Sequence, residues 1–133
     1  MERKPGVTGI DIILIQVSDL KRSLAFWKDG LGIPFRGTGY EDDSVEAKVG
    51  EVTLILHPDF TPAMKKAKRG VGIAIHLKVE DADAYYSELV ERGVAPQERP
   101  EDKPWGREFS VVDPDGYPIE ILEPVKGEHR TRG

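Results

Sequence analysis

The chain has 133 residues, 38% hydrophobic and 32% charged, with a formal net charge of −5. That suits one soluble domain, or two half-size modules sharing a core, and argues against a nucleic-acid partner, whose phosphates want a basic surface. No apolar run approaches the roughly 18–20 residues that span a membrane, no signal-peptide pattern opens the chain, and the lack of cysteine excludes disulfides, thiolate nucleophiles and cysteine zinc sites, so a cytoplasmic location is expected.

In chain order, IDIILIQVSDLKRSLAFWKDGLGIP (10–34) opens as an apolar strand that meets an acidic residue and turns into a helix. Leu20, Leu24, Phe26, Trp27 and Leu31 recur at three- and four-residue spacing, so the segment Asp19–Gly30 reads as an amphipathic helix with Ser18 or Asp19 as its cap and Trp27 in the core. Three strand-like runs follow, at 33–39, 43–49 and 52–57. HPDFTPAMKKAKRG (57–70) is proline-containing and basic. It reads as a linker whose Lys65, Lys66, Lys68 and Arg69 are either solvated or form a charged rim for an acidic ligand.

GIAIHLKVEDADAYYSELVERGVAP (72–96) then repeats the opening pattern, with Asp81 lying 62 residues after Asp19 and Pro96 the same distance after Pro34. Its helix, Asp81–Arg92, has Ala82, Tyr85, Tyr86, Leu89 and Val90 as the buried stripe and Gly93 as the stop. Strand-like runs at 95–99, 107–112 and 117–123 complete the second copy. DPDG (113–116) has the residue order of a type I turn. The expected organisation is a single domain: module one at about 8–57, a linker at about 58–70, module two at about 71–124 and a polar tail at 125–133. Each module runs strand, helix, strand, strand, strand.

VSDLKRSLAFWKDGLG, VEDADAYYSELVERGV and PWGREFSVVDPDGYPIEIL together resemble the vicinal-oxygen-chelate superfamily of glyoxalases, bleomycin-resistance proteins and extradiol dioxygenases, and most of all its bleomycin-resistance-like branch. The resemblance implies an α+β fold of two βαβββ modules whose curved mixed sheet forms a cup with helices outside. It also implies a small-molecule ligand in the cup and a homodimer, in some members with each cup built from two chains.

Enzymes of that family hold a divalent metal with four side chains from the first and last strands of each module. Carried onto this chain, those positions are Ile12, Leu54, Ala74 and Glu120. Three of the four have no donor atom, and one carboxylate does not hold a transition metal, so no metal and no other cofactor is expected. A displaced divalent-metal site would have to use His76 and Glu120 with help from Gln16, since side chains two apart on a strand share a face. Without metal, His76 reads as a neutral imidazole hydrogen-bonded within the cup, and Glu120 needs water, a raised pKa or a cation such as His76 or Arg107.

Trp105, on the loop of PWGREF (104–109), can stack on a flat ligand or plug the core or a dimer interface. Arg107 and Glu108 point to opposite faces of their strand, so one of them faces the cup. Phe35, Tyr40 and Phe60 are candidates for its mouth. No nucleophilic triad, Walker loop or dinucleotide glycine pattern is present.

The leading expectation is a binding or sequestering protein for a hydrophobic or aromatic small molecule, contacted by Trp105, Arg107, Glu120, His76 and Gln16. The alternatives are a lyase, isomerase or dioxygenase with an irregular metal site, a metal-free acid–base enzyme using Glu120 and His76, and a cup filled by its own side chains Ile12, Leu14, Leu54 and Leu122.

Overall fold

A computed structural model describes residues 5–39 and 43–125. Tyr40 and the tail from Lys126 onward lie outside the described residues. The first module comprises β1 (Ile12–Val17), α1 (Leu20–Leu24) running on into a π-helical turn (Ala25–Gly30), β2 (Arg36–Gly37), β3 (Val45–Val49) and β4 (Val52–Pro58). A 3₁₀ turn, Pro62–Lys66, lies in the connection. The second module comprises β5 (Ile75–Lys78), α2 (Ala82–Glu91), β6 (Glu101–Lys103), β7 (Gly106–Val112) and β8 (Pro118–Pro124).

Each module forms its own four-stranded sheet, ordered β1-β4-β3-β2 and β5-β8-β7-β6. The first strand of each pairs parallel to the last, and the remaining pairs are antiparallel. Among the described residues β1 pairs only with β4 and β5 only with β8, so each sheet has an open edge there.

The helices start where the sequence puts them. Asp19 and Asp81 are extended residues whose carboxylates accept from Arg22 N (3.0 Å) and Ala84 N (2.9 Å), satisfying donors that the first helical turn leaves unpaired. Ser18 is not the cap; its amide and hydroxyl both bond Asp115 of the second module. Past Leu24 the first helix widens, with Leu31 N bonding Phe26 O. This rotates Trp27 fully into the core and aims its Nε1 at Asp113 Oδ2, 3.0 Å away. In α2, Ala82 and Leu89 are buried and Tyr85 and Tyr86 partly so, but Val90 is exposed because it sits one position past the inward stripe.

One core serves both modules. It draws Ile15, Val17, Leu54 and Leu56 from the first sheet, Phe109, Val111, Ile119 and Ile121 from the second, and Trp27, Ala82 and Leu89 from the helices. Each fully buried Val, Leu, Ile or Phe side chain among them contributes about 1.5–3 kcal/mol. Polar contacts close the seam: Tyr85 O–H to Leu31 O (2.6 Å) and Arg92 to Gly30 O (3.0 Å). Burial pushes the Tyr85 hydroxyl up to about 12.

Two strand expectations change. The run at 95–99 is not a strand; Pro96 has no N–H to donate, and β6 forms later, at Glu101–Lys103. The segment is tied to β7 instead by Gln97 N to Ser110 O (2.8 Å). The run at 33–39 keeps only the two residues of β2, and Phe35 is buried in the core rather than at a mouth.

The connection between the modules is not a solvated tether. Arg69 meets Asp59 with two bonds of 2.7 Å and also donates to Gln16 O (3.0 Å) and Met64 O (2.9 Å). The side chains of Arg69 and Asp59 are only 5% and 10% exposed. Arg69 is therefore neither a solvated residue nor a free cation at a rim, whereas Lys65, Lys66 and Lys68 are exposed.

Candidate functional site

Strand alternation assigns the two faces of each sheet. In module two, His76 lies opposite Glu120, and Ser110 opposite Glu120 on its other side. These residues, with Ala74, Lys78, Glu108 and Leu122, share the face turned away from the core. In module one the corresponding face carries Ile12, Leu14 and Gln16 of β1, opposite Thr53, Ile55 and His57 of β4. Ile12, Leu14, Ala74, His76 and Lys78 are exposed, so both inner faces are open.

The register corrects one of the four inherited metal positions. His76 pairs with Glu120 and its counterpart Leu14 pairs with Ile55, so Ile55, not Leu54, is the partner position of Glu120. Leu54 is a core residue on the opposite face. Counting from the turn glycines misleads because the turns differ. Gly50 opens a two-residue hairpin between Val49 and Val52, whereas Gly116 is the fourth of five residues between Val112 and Pro118.

Ile12, Ile55 and Ala74 offer no donor. No group of three or more His, Asp or Glu among the described residues is arranged to hold a metal ion. The donor set does not fit the family's metal.

Arg107 does not reach Glu120. It sits on the helix side of β7, where its Nε lies 3.1 Å from both carboxylate oxygens of Asp83 on α2 and its Nη1 lies 3.0 Å from Asp102 Oδ1. Glu108 takes the inner face instead, and it is buried. It accepts a hydrogen bond from Trp105 Nε1 and lies on the same face as Glu120, one pair along the β7–β8 register.

Burial, the hydrogen bond that its protonated form can donate to Glu108, and the negative charges of Glu108 and Glu98 push the Glu120 carboxyl above the usual carboxylate range, while Lys103 acts the other way. Glu98 is fixed beside them by Ser110 N and Ser110 Oγ, both at 2.9 Å. The His76 side chain is exposed, and among the described residues its imidazole takes no hydrogen bond, where a hydrogen-bonded imidazole was expected.

Trp105 stands at the rim, 43% exposed, on the turn from β6 to β7. Its position depends on Gly106, which has φ +148° and lies so close to β8 that a Cβ would come within 2.2 Å of Glu123 O. Gln16 is on the inner face of module one, with its carbonyl accepting from Arg69 and from Tyr117 O–H (2.8 Å) and its side-chain Oε1 accepting from Phe60 N (2.9 Å). The Phe60 ring stacks on His57 with centroids 4.2 Å apart.

The structure therefore gathers Glu120, His76 and Trp105 on one face with Glu108, Glu98 and Ser110, and leaves Gln16 on the other module. Chemically, the face pairs a π-surface with a group of neighbouring carboxyl side chains. Sequence reasoning left Glu108 open. The parity that excluded Arg107 from its face was visible, but which of the two faced inward was not. Glu98 left no sequence signal, since its place depends on the irregular 95–99 segment.

The sequence profile of the Glyoxalase/Bleomycin resistance protein/Dioxygenase superfamily matches residues 9–121. The protein "Uncharacterized protein YraH" of Bacillus subtilis (strain 168) is 33% identical over 121 residues, covering 84% of this chain and 94% of that protein. TnmS3, an antibiotic binding protein from Streptomyces sp. CB03234, is 26% identical with a TM-score of 0.74, over 92% of this chain and all of TnmS3. A superfamily member from Sphaerobacter thermophilus DSM 20745 is 27% identical with a TM-score of 0.66, over 87% of this chain and 97% of that protein. The chain belongs to the glyoxalase/bleomycin resistance protein/dioxygenase superfamily.

Proposed function

We propose that the protein binds a hydrophobic or aromatic small molecule, without a metal, in a cup whose polar wall is the Trp105–Glu108–Glu120 group, and that it does so to sequester the ligand. The observation that carries this reading is the exposed Trp105 ring fixed by its own N–H to a buried carboxyl group, beside a face open to solvent. An aromatic plane next to carboxyl groups favours ligands that combine a flat ring with hydrogen-bond donors or positive charge. The likeness to an antibiotic binding protein supports a small-molecule ligand.

The cup is completed by a second copy of the chain. The free edges of β1 and β5, together with exposed Ile10, Val71 and Ile73, form an apolar surface that association would bury.

The raised pKa of Glu120 favours a second reading, metal-free acid–base catalysis with Glu120 as the proton-carrying group. Binding of bleomycin and of proflavine, a flat cationic tricycle, tests the first reading, alongside metal content and sedimentation of the untagged protein. Micromolar binding that Trp105→Ala weakens at least tenfold supports it. Stoichiometric metal, or a melt raised by one ion and insensitive to both ligands, overturns it.

A further inference from the structure

Module one also carries an aromatic surface. His57 lies opposite Gln16 in the β1–β4 register, on the face that holds Ile12 and Leu14. The ring of Phe60 stacks on it at a 33° tilt, and Phe60 is 58% exposed. An exposed aromatic on a loop is ordinarily free to move, but this one is anchored. Its amide is held by the Gln16 side chain, the His57 ring is fixed by Nδ1–H donating to Pro58 O (2.6 Å), and the amide of Asp59 bonds Val17 O (3.2 Å). Behind the loop stands the Asp59–Arg69 pair, whose guanidinium also takes the carbonyls of Gln16 and Met64. Covering an ion pair costs desolvation that apolar packing would not incur, and what this pair fixes is the segment bearing Phe60.

We propose that the His57–Phe60 ring pair is a second aromatic contact for a flat ligand, on the module-one face of the cup, and that Arg69 is a positioning residue that holds it there. The proposal rests on the ligand-binding reading above and deepens it. A ligand held there would present a flat ring to Phe60, which favours aromatic over aliphatic molecules.

The test is proflavine binding to the full chain at neutral pH by fluorescence anisotropy, with proflavine proton shifts followed by NMR. Phe60→Ala is expected to weaken binding about five- to tenfold, as loss of one aromatic contact does, and to reduce the upfield ring-current shifts of the dye. Phe60→Tyr is expected to restore both. Arg69→Met should weaken binding to the same extent, and Phe60→Ala with Arg69→Met should be no weaker than Phe60→Ala alone, because the two act through one ring.

Absence of binding by the unmodified chain overturns the cup reading and this proposal with it. Binding that falls in Trp105→Ala but not in Phe60→Ala overturns this proposal alone. Losses that multiply in the double variant remove the positioning role from Arg69. Phe60 is exposed, so Phe60→Ala leaves the core untouched and decides the matter by itself if Arg69→Met does not fold.

Discussion

Replacing Arg69 by Met should destabilise the protein by about 2–3 kcal/mol at pH 7, between the value of an exposed pair and that of a fully buried one. The side chain removed makes two bonds of 2.7 Å to Asp59 and one each to Gln16 O and Met64 O, and it leaves the Asp59 carboxylate covered with no guanidinium. The pH dependence has a definite sign. The hydrogen bond from Arg69, and its charge, hold the Asp59 carboxyl below the usual carboxylate range. The pair's contribution is therefore fully present above the unfolded-state pKa of about 4 and is lost as pH falls through the lower folded-state value. In Arg69→Met the uncompensated carboxylate is disfavoured by burial, so that variant gains from protonation as pH falls. The gap between the two proteins should be widest near neutrality and close toward pH 3. Urea unfolding followed by tryptophan fluorescence, at pH 7 and pH 4, measures it. Adding Asp59→Asn to Arg69→Met should recover part of the loss by removing the stranded charge. A loss below about 1 kcal/mol with no dependence on pH would refute the reasoning, because it would mean the pair is solvated.

Gly106→Ala should cost at least about 3 kcal/mol in thermal or chemical unfolding, since the new Cβ would meet Glu123 O at 2.2 Å and Pro124 Cα at 3.0 Å, both backbone atoms that cannot swing aside. Trp27→Phe should cost about 2–4 kcal/mol by the same assay, from lost packing and from the bond withdrawn from buried Asp113. Glu120→Gln should alter the pH profile of the melting temperature. The native pKa of Glu120 is raised, so its ionisation opposes folding as pH climbs from the unfolded value through the folded one, and the variant should lack that decline.

The sequence made the repeat legible because its punctuation is chemical. Asp19 and Asp81 cap helices, Gly93 ends one with φ +85°, and Asp113 closes its turn through Gly116 N (3.0 Å) while its side chain takes Asp115 N and Tyr117 N. What failed was transfer between the copies at their hairpins. The Gly50 and Gly116 turns share a residue type but not a length, so Leu54 was placed on the wrong face by one residue. Arg69 looked like a linker cation because nothing local marks its partner, ten residues away. The partners of Glu120 come from β7 and the irregular segment before β6, and no periodicity links those to β8. Alternation along β8 does put Glu120 and Leu122 on one side, and that was readable.

The shared core has a further consequence. A duplicated half with its own hydrophobic centre could live alone, but here Trp27 of the first half closes on Asp113 of the second, and residues from both sheets belong to one cluster. Autonomy has been given up in favour of complementation. A backbone cut among exposed Lys65 and Lys66 would leave two fragments that hold together, while either fragment made by itself would expose the surface it normally lends to its sibling.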